Sequence, residues 1–145
     1  MNKKEIIIKV PTDLEKIPKN FTGKVYIESE AIVSLIENYH CIFEARKNSH
    51  VISYSNSNII ALENSHIEAW KNTRVVAKDN AYVEAWNYSQ VVARDNARVI
   101  ARGNSIIEAW DNSQVKIWDN SQIKTFGNPT VEVCGKTGFN KMLGL

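Results

Sequence analysis

The chain has 145 residues, a net charge of +2, and acidic residues interspersed with basic ones. This length predicts a single domain, and so even a charge balance forms no broad basic surface, so we do not expect nucleic acid as a direct partner. No apolar run approaches the roughly 20 residues of a membrane-spanning helix. The run from Ile6 to Ile8 is also much shorter than a signal-peptide core of ~7–15 residues. We therefore expect a cytoplasmic protein with no membrane partner.

Residues 1–23 predict a small α/β cap. Residues 5–10 have the composition of a short strand, and Thr12 to Glu15 fit a capping box that opens one or two helical turns. Pro18 is expected to end that helix. A cap of this kind would cover the apolar core and the unpaired strand edge that the open end of a repeat protein exposes.

An eight-residue repeat occupies residues 24–135. Eleven regular octads, with the consensus Asn-Ser-x-Val-x-Ala-x-Asp, cover residues 48–135, and three weaker octads precede them. Side chains alternate along a strand, so positions two, four and six share one face and positions three, five and seven share the other. Position four is Val or Ile in every regular octad, which predicts a buried row: Val51, Ile59, Ile67, Val75, Val83, Val91, Val99, Ile107, Val115, Ile123 and Val131.

The short period predicts an all-β fold, a single-stranded parallel β-helix (β-solenoid) in which each octad is one strand plus one corner. Eight residues are too few for a strand, a helix and a return, and two-residue hairpin signals are absent. We expect the Asn that opens most octads to adopt the left-handed conformation and to form amide ladders at the corners. The outward residues fit coils of two octads or of three. A large residue between two small ones favours three.

The end of the chain and its cysteines carry fewer signals. Residues 136–145 break the repeat and predict a thin C-terminal cap or a disordered tail. Cys41 and Cys134 are several coils apart, on the order of 20 Å along the axis, whereas a disulfide joins Cα atoms at most ~7 Å apart. We therefore expect two free thiols, with Cys41 buried.

The sequence contains little that predicts chemistry. His50 and His66 occupy the outward third position two octads apart, but no third ligand completes a metal site in that column. The outward glutamates follow from the repeat itself and imply no cleft, and no nucleophile or phosphate-binding motif is present. We expect no enzyme, no cofactor and no metal.

Position seven carries the residues that we predict to bind a partner. Exposed Trp and Arg are enriched in binding hot spots, and all four tryptophans occupy this position. The alternative is that these side chains cover the backbone of the corner and pack on the next coil, and they could also close a homodimer. The predicted binding residues are Trp70, Lys78, Trp86, Arg94, Arg102, Trp110, Trp118 and Phe126.

Over residues 48–127 the tandem octads resemble the octapeptide-repeat β-solenoid proteins of bacteriophages and of mobile or gut-bacterial genomes. The resemblance implies the architecture and transfers no catalytic residue. We predict a non-enzymatic protein-binding scaffold, a phage-type inhibitor of a host defence protein such as a nuclease or CRISPR effector. The first alternative is a carbohydrate-binding or virion structural module, in which aromatic rings stack on sugars. The second is a solenoid enzyme with a site between subunits.

Overall fold

The computed structural model describes residues 5–134 and the backbone of residues 142–144. Within them, one 3₁₀ helix spans Pro11–Lys16 and all other regular elements are strands. The strands are β1 (Ile6–Ile8), β2 (Lys24–Ile27), β3 (Val33–Leu35), β4 (Ile42–Ala45), β5 (His50–Ser53), β6 (Asn58–Ala61), β7 (His66–Ala69), β8 (Arg74–Ala77), β9 (Tyr82–Ala85), β10 (Gln90–Ala93), β11 (Arg98–Ala101), β12 (Ile106–Ala109), β13 (Gln114–Ile117), β14 (Gln122–Thr125), β15 (Thr130–Val133) and β16 (Met142–Gly144).

The strands alternate between two parallel sheets, which confirms the predicted all-β solenoid. The nine-stranded sheet has the order β1-β2-β4-β6-β8-β10-β12-β14-β16, and the seven-stranded sheet has the order β15-β13-β11-β9-β7-β5-β3. Val91 pairs with Val75 on one side and with Ile107 on the other. From β4 onward, equivalent residues of successive coils are 16 residues apart, so each of these coils contains two octads.

The prediction of three octads per coil was therefore wrong. The same gradient of side-chain size has a second solution, a flattened coil between two sheets. In this arrangement the Val and Ile rows of the two sheets meet at the centre. The small residues of positions two and six lie at the edges, where the sheets converge and space is least.

The core is the column of inward residues between the two sheets. From Val51 to Ile123 the position-four residues are at most 2 % exposed, as the alternation predicted. In the weaker octads the predicted alignment is shifted, because Val25 pairs with Phe43 and Val33 with Val51. Ile27 and Leu35 are buried as expected, but they align with position six, since two extra residues lengthen the first coil.

The corners differ from the prediction in which residue adopts the left-handed conformation. Positive φ occurs at position eight, just before the Asn, with values of 55° to 59° at the residues that are not glycine. Asp and Asn tolerate this region better than other side chains. The amide of Glu63 donates to Asp79 Oδ2 at 2.9 Å, and the amide of Asp79 donates to Asp95 Oδ2 at 3.2 Å. In the described corners, carboxylates therefore form the ladder that we had predicted for Asn amides.

The N-terminal cap continues the nine-stranded sheet through the pairing of β1 with β2. Its helix begins earlier than predicted, with Val10 as the N-cap instead of Thr12. The Asp13 carboxylate accepts hydrogen bonds from Lys16 Nζ at 2.7 Å and from the amides of Lys9 and Val10 at 2.9 and 3.1 Å. The bond from Lys16, followed by those from the two amides, lowers the pKa of Asp13 to about 2.

At the other end of the chain, most of the predicted tail, residues 136–145, lies outside the described residues. The described segment β16 pairs in parallel with β14. Cys41 is buried, Cys134 is partly exposed, and both are free thiols as predicted.

Candidate binding surfaces

The predicted binding residues lie at opposite edges of the solenoid. The chain reverses direction at each corner, so position seven of one sheet and position seven of the other end at different edges. Beside the seven-stranded sheet lies the indole ladder, defined as Tyr54, Trp70, Trp86, Arg102 and Trp118. Beside the nine-stranded sheet lies the mixed ladder, defined as Lys78, Arg94, Trp110 and Phe126. The structure therefore brings the predicted residues together as two groups that do not share a surface.

The indole ladder is a continuous stack of partly buried side chains. The rings of Trp70 and Trp86 are nearly parallel, at 3°, with centroids 4.7 Å apart. The guanidinium of Arg102 lies 5.0 Å from the ring centroids of both Trp86 and Trp118, and Tyr54 stacks on the other face of Trp70. Both faces of Trp70 and Trp86 are thus covered by neighbouring coils, which favours a packing role for these two rings.

The mixed ladder presents more charge to solvent. Lys78 and Arg94 are exposed, and the Arg94 guanidinium lies 5.0 Å from the ring centroid of Trp110. Trp110 stacks on Phe126 with centroids 4.0 Å apart. A cation over an aromatic face is stabilised by the ring quadrupole, so this edge combines fixed aromatic rings with accessible positive charge.

A repeated Glu-Ala-Trp triplet has different hydrogen bonds in its three copies. In the third copy, Trp110 Nε1 donates to Glu108 Oε1 at 2.6 Å. In the first two copies, the buried Nε1 atoms of Trp70 and Trp86 have no hydrogen-bond partner. The glutamates of those copies, Glu68 and Glu84, point to histidines instead.

These two glutamates and His50 and His66 form a cluster on the outer face of the seven-stranded sheet. His50 Nε2 lies 2.9 Å from Glu68 Oε1, and His66 Nε2 lies 3.3 Å from Glu84 Oε1. The two imidazole rings stack with centroids 4.2 Å apart. Burial, followed by the neighbouring His50, lowers the pKa of His66. Our expectation that no third ligand accompanies the histidines was wrong, because Glu68 reaches them from position five of β7.

The outer face of the nine-stranded sheet carries a surface that the sequence reasoning missed. Five aliphatic side chains surround a shallow depression of about 460 Å³, and two of them, Ile42 and Ile106, are 41 % and 51 % exposed. Arg74 and Gln90 also line the depression. A sixteen-residue step along position five would have revealed the central column. We define the apolar patch as Ile42, Ile60, Val76, Val92 and Ile106.

Several outward glutamates are occupied by cations or indoles. Glu44 accepts from Arg46 Nε at 2.7 Å and lies 2.9 Å from Lys24 Nζ. Burial opposes ionisation of Glu44, yet the hydrogen bonds from Lys24 and Arg46 lower its pKa overall. A hydrogen bond from Lys47 similarly lowers the pKa of Glu28. These carboxylates are held ionised in structural contacts, and general acid catalysis requires the opposite.

No known protein family matches the chain, and comparisons with curated proteins and with solved structures give no significant match. In the part of the chain that the structure describes, no helix is long and apolar enough to cross a membrane. The strand pairing alone defines the class of protein, a parallel β-solenoid with coils of 16 residues.

Proposed function

We propose that this protein is a non-enzymatic scaffold that binds another protein through the apolar patch and the adjoining mixed ladder. The observation that carries the proposal is the exposure of five aliphatic side chains on one sheet face. Clustered apolar side chains on a surface are typical of interaction sites. The remaining steps concern the rim of the patch, its rigidity and the chemistry of the partner.

The rim of the apolar patch supplies cations. Arg74 lies in the middle of the face, and Lys78 and Arg94 follow at its edge. Within the described residues, neither Arg74 nor Lys78 forms an ion pair within 4.0 Å. An apolar centre with a charged rim is the usual anatomy of a protein interface. The complementary partner surface is therefore apolar at its centre and acidic around it.

The backbone beneath this surface is rigid, since every strand of the face is hydrogen-bonded to parallel neighbours over β6, β8, β10 and β12. A surface that is already ordered loses little conformational entropy on binding. Trp110 adds a fixed aromatic anchor, because Arg94 and Phe126 hold its ring from both faces. The same stacking argues against sugar binding by this ring, since a sugar needs an open aromatic face.

The partner that we propose is a host defence protein such as a nuclease or CRISPR effector, and the protein would act as a phage-type inhibitor in the cytoplasm. Support for this finer statement is the resemblance of the octads over residues 48–127 to phage and mobile-element solenoids. A small rigid chain whose outward carboxylates are tied in structural contacts fits inhibition by blocking a surface. It does not require chemistry of its own.

The experiment compares two matched substitutions at position five of opposite sheets. Val76→Glu places a carboxylate in the apolar patch, whereas Ile100→Glu places one at the equivalent position of the seven-stranded sheet. The tagged chain and both variants are used to capture proteins from a lysate of the organism that encodes it. Each retained protein is identified by mass spectrometry, purified and titrated against the three chains by calorimetry.

We expect one identified partner whose affinity falls at least about 100-fold with Val76→Glu and stays unchanged with Ile100→Glu. Trp110→Ala should also weaken binding, and Trp86→Ala should not, because Trp86 belongs to the other edge. Equal binding by both glutamate variants would refute the surface. Recovery of the chain alone, with a dimer mass by light scattering that Val76→Glu abolishes, would replace the host partner with a second copy of the chain.

A further inference from the structure

The cluster on the seven-stranded sheet has the composition of a metal site. His50 and His66 pair directly across β5 and β7, and Glu68 and Glu84 pair directly across β7 and β9. One ligand atom from each of His50, His66 and Glu68 lies within 4.8 Å of the other two. Two imidazoles with one or two carboxylates form a common donor set for zinc and similar divalent ions.

The distances between donor atoms support the assignment. In a tetrahedral zinc site with bonds of ~2.0–2.1 Å, neighbouring donor atoms are about 3.3 Å apart. The His50–Glu68 and His66–Glu84 donor pairs lie at 2.9 and 3.3 Å. A metal ion can therefore replace a shared proton between each imidazole and its carboxylate with only small movements of the donors. The imidazoles stack at 9° to each other, so each must tilt about χ2, a broad torsion in histidine.

The surroundings favour a dication. Glu68 and Glu84 place two carboxylates beside the two imidazoles, and all four side chains are between 25 % and 32 % exposed. Tyr82 packs edge-on against His66 with centroids 4.8 Å apart, which covers one side of the cluster. Partial burial strengthens attraction between the ion and the carboxylates compared with a fully solvated site. The four donor side chains stand on hydrogen-bonded strands, which keeps them close together before any ion arrives.

We propose that His50, His66 and Glu68 form a binding site for a divalent cation of the zinc type, with Glu84 as the fourth donor. On binding, the ion displaces the proton held between imidazole and carboxylate, and the proton passes to solvent. The site is independent of the proposed protein-binding surface, since it lies on the seven-stranded sheet and the apolar patch lies on the other.

The test is a calorimetric titration of the full-length chain with zinc chloride. We expect one ion per chain and micromolar affinity. His66→Gln and Glu68→Gln should each weaken the affinity at least about ten-fold. The matched control is His40→Gln, which alters the remaining histidine of the chain at an exposed position and should leave the affinity unchanged. Circular dichroism of each variant verifies that it is folded.

A second measurement uses Co²⁺ in place of zinc and does not depend on the His66 variant being folded. Imidazole ligation gives the bound cobalt a visible ligand-field spectrum, which Glu68→Gln should alter and His40→Gln should not. The proposal is overturned if the chain binds no zinc at millimolar concentration. It is equally overturned if binding survives both His66→Gln and Glu68→Gln, or if His40→Gln abolishes it.

Discussion

Two neighbouring isoleucines of β6 provide the sharpest test of the fold. Ile59 points into the core and is 2 % exposed, whereas Ile60 points outward into the apolar patch. Ile59→Ala removes three carbons worth about 0.8 kcal/mol each, or about 2.4 kcal/mol. The cavity left behind raises the expected loss to about 3–4 kcal/mol. For a chain of this length, such a loss lowers the melting temperature by about 10 °C.

Ile60→Ala is the matched control, because it makes the same chemical change one residue away. Its side chain is already partly in contact with solvent, so we expect a loss of about 1 kcal/mol or less. The assay is urea unfolding followed by circular dichroism, supported by thermal unfolding of both variants. Equal losses, or a larger loss for Ile60→Ala, would refute the inward and outward assignment, since a shift of one residue exchanges the two faces of a strand.

Three further predictions concern the corner, the ladder and the cap. Gly103 has φ of 69°, and a Cβ there would lie 3.0 Å from the backbone nitrogen of Asn87. We expect Gly103→Ala to cost about 1–2 kcal/mol in urea unfolding; equal stability of exposed Asn104→Ala would contradict this reasoning. Trp86→Ala removes a ring held between Trp70 and Arg102, with an expected loss of about 2 kcal/mol and a weaker near-ultraviolet dichroism signal; an unchanged melting temperature would argue against the packing role. The folded pKa of Asp13 is about 2 against the ordinary 3.8, so its stabilising effect is present above that ordinary value and disappears as the pH falls towards 2. Asp13→Asn should therefore unfold at a lower temperature than the original chain at neutral pH and at the same temperature near pH 2, and a constant difference would refute the assignment.

Local patterns predicted much of this architecture. The alternation at positions two, four and six identified the buried rows, because the direction of a side chain along a strand depends only on its neighbours in sequence. The same logic identified the position-seven columns and the free cysteines. It placed the left-handed corner one residue too late, since Asp-Asn contains two side chains that both tolerate positive φ.

Position five shows why the candidate sites were harder to predict. Ile60, Val76 and Val92 are three isolated residues in the sequence, and they become one surface only when coils of 16 residues stack them. Glu68 likewise approaches His50 from the next coil of the same sheet. In both cases the contact joins different octads, and its existence depends on how many octads form each coil.

The sequence by itself determined that the chain is a parallel β-solenoid and which side chains point inward. An eight-residue period with strict alternation allows one strand and one corner per repeat, and such a chain can bury its apolar row only by stacking. The number of octads per coil was decided by the tertiary structure. The small residues at positions two and six fit both a triangular coil and a flattened one. Only the packing of two complete sheets against each other selects the coil of 16 residues, and with it the neighbours of every outward side chain.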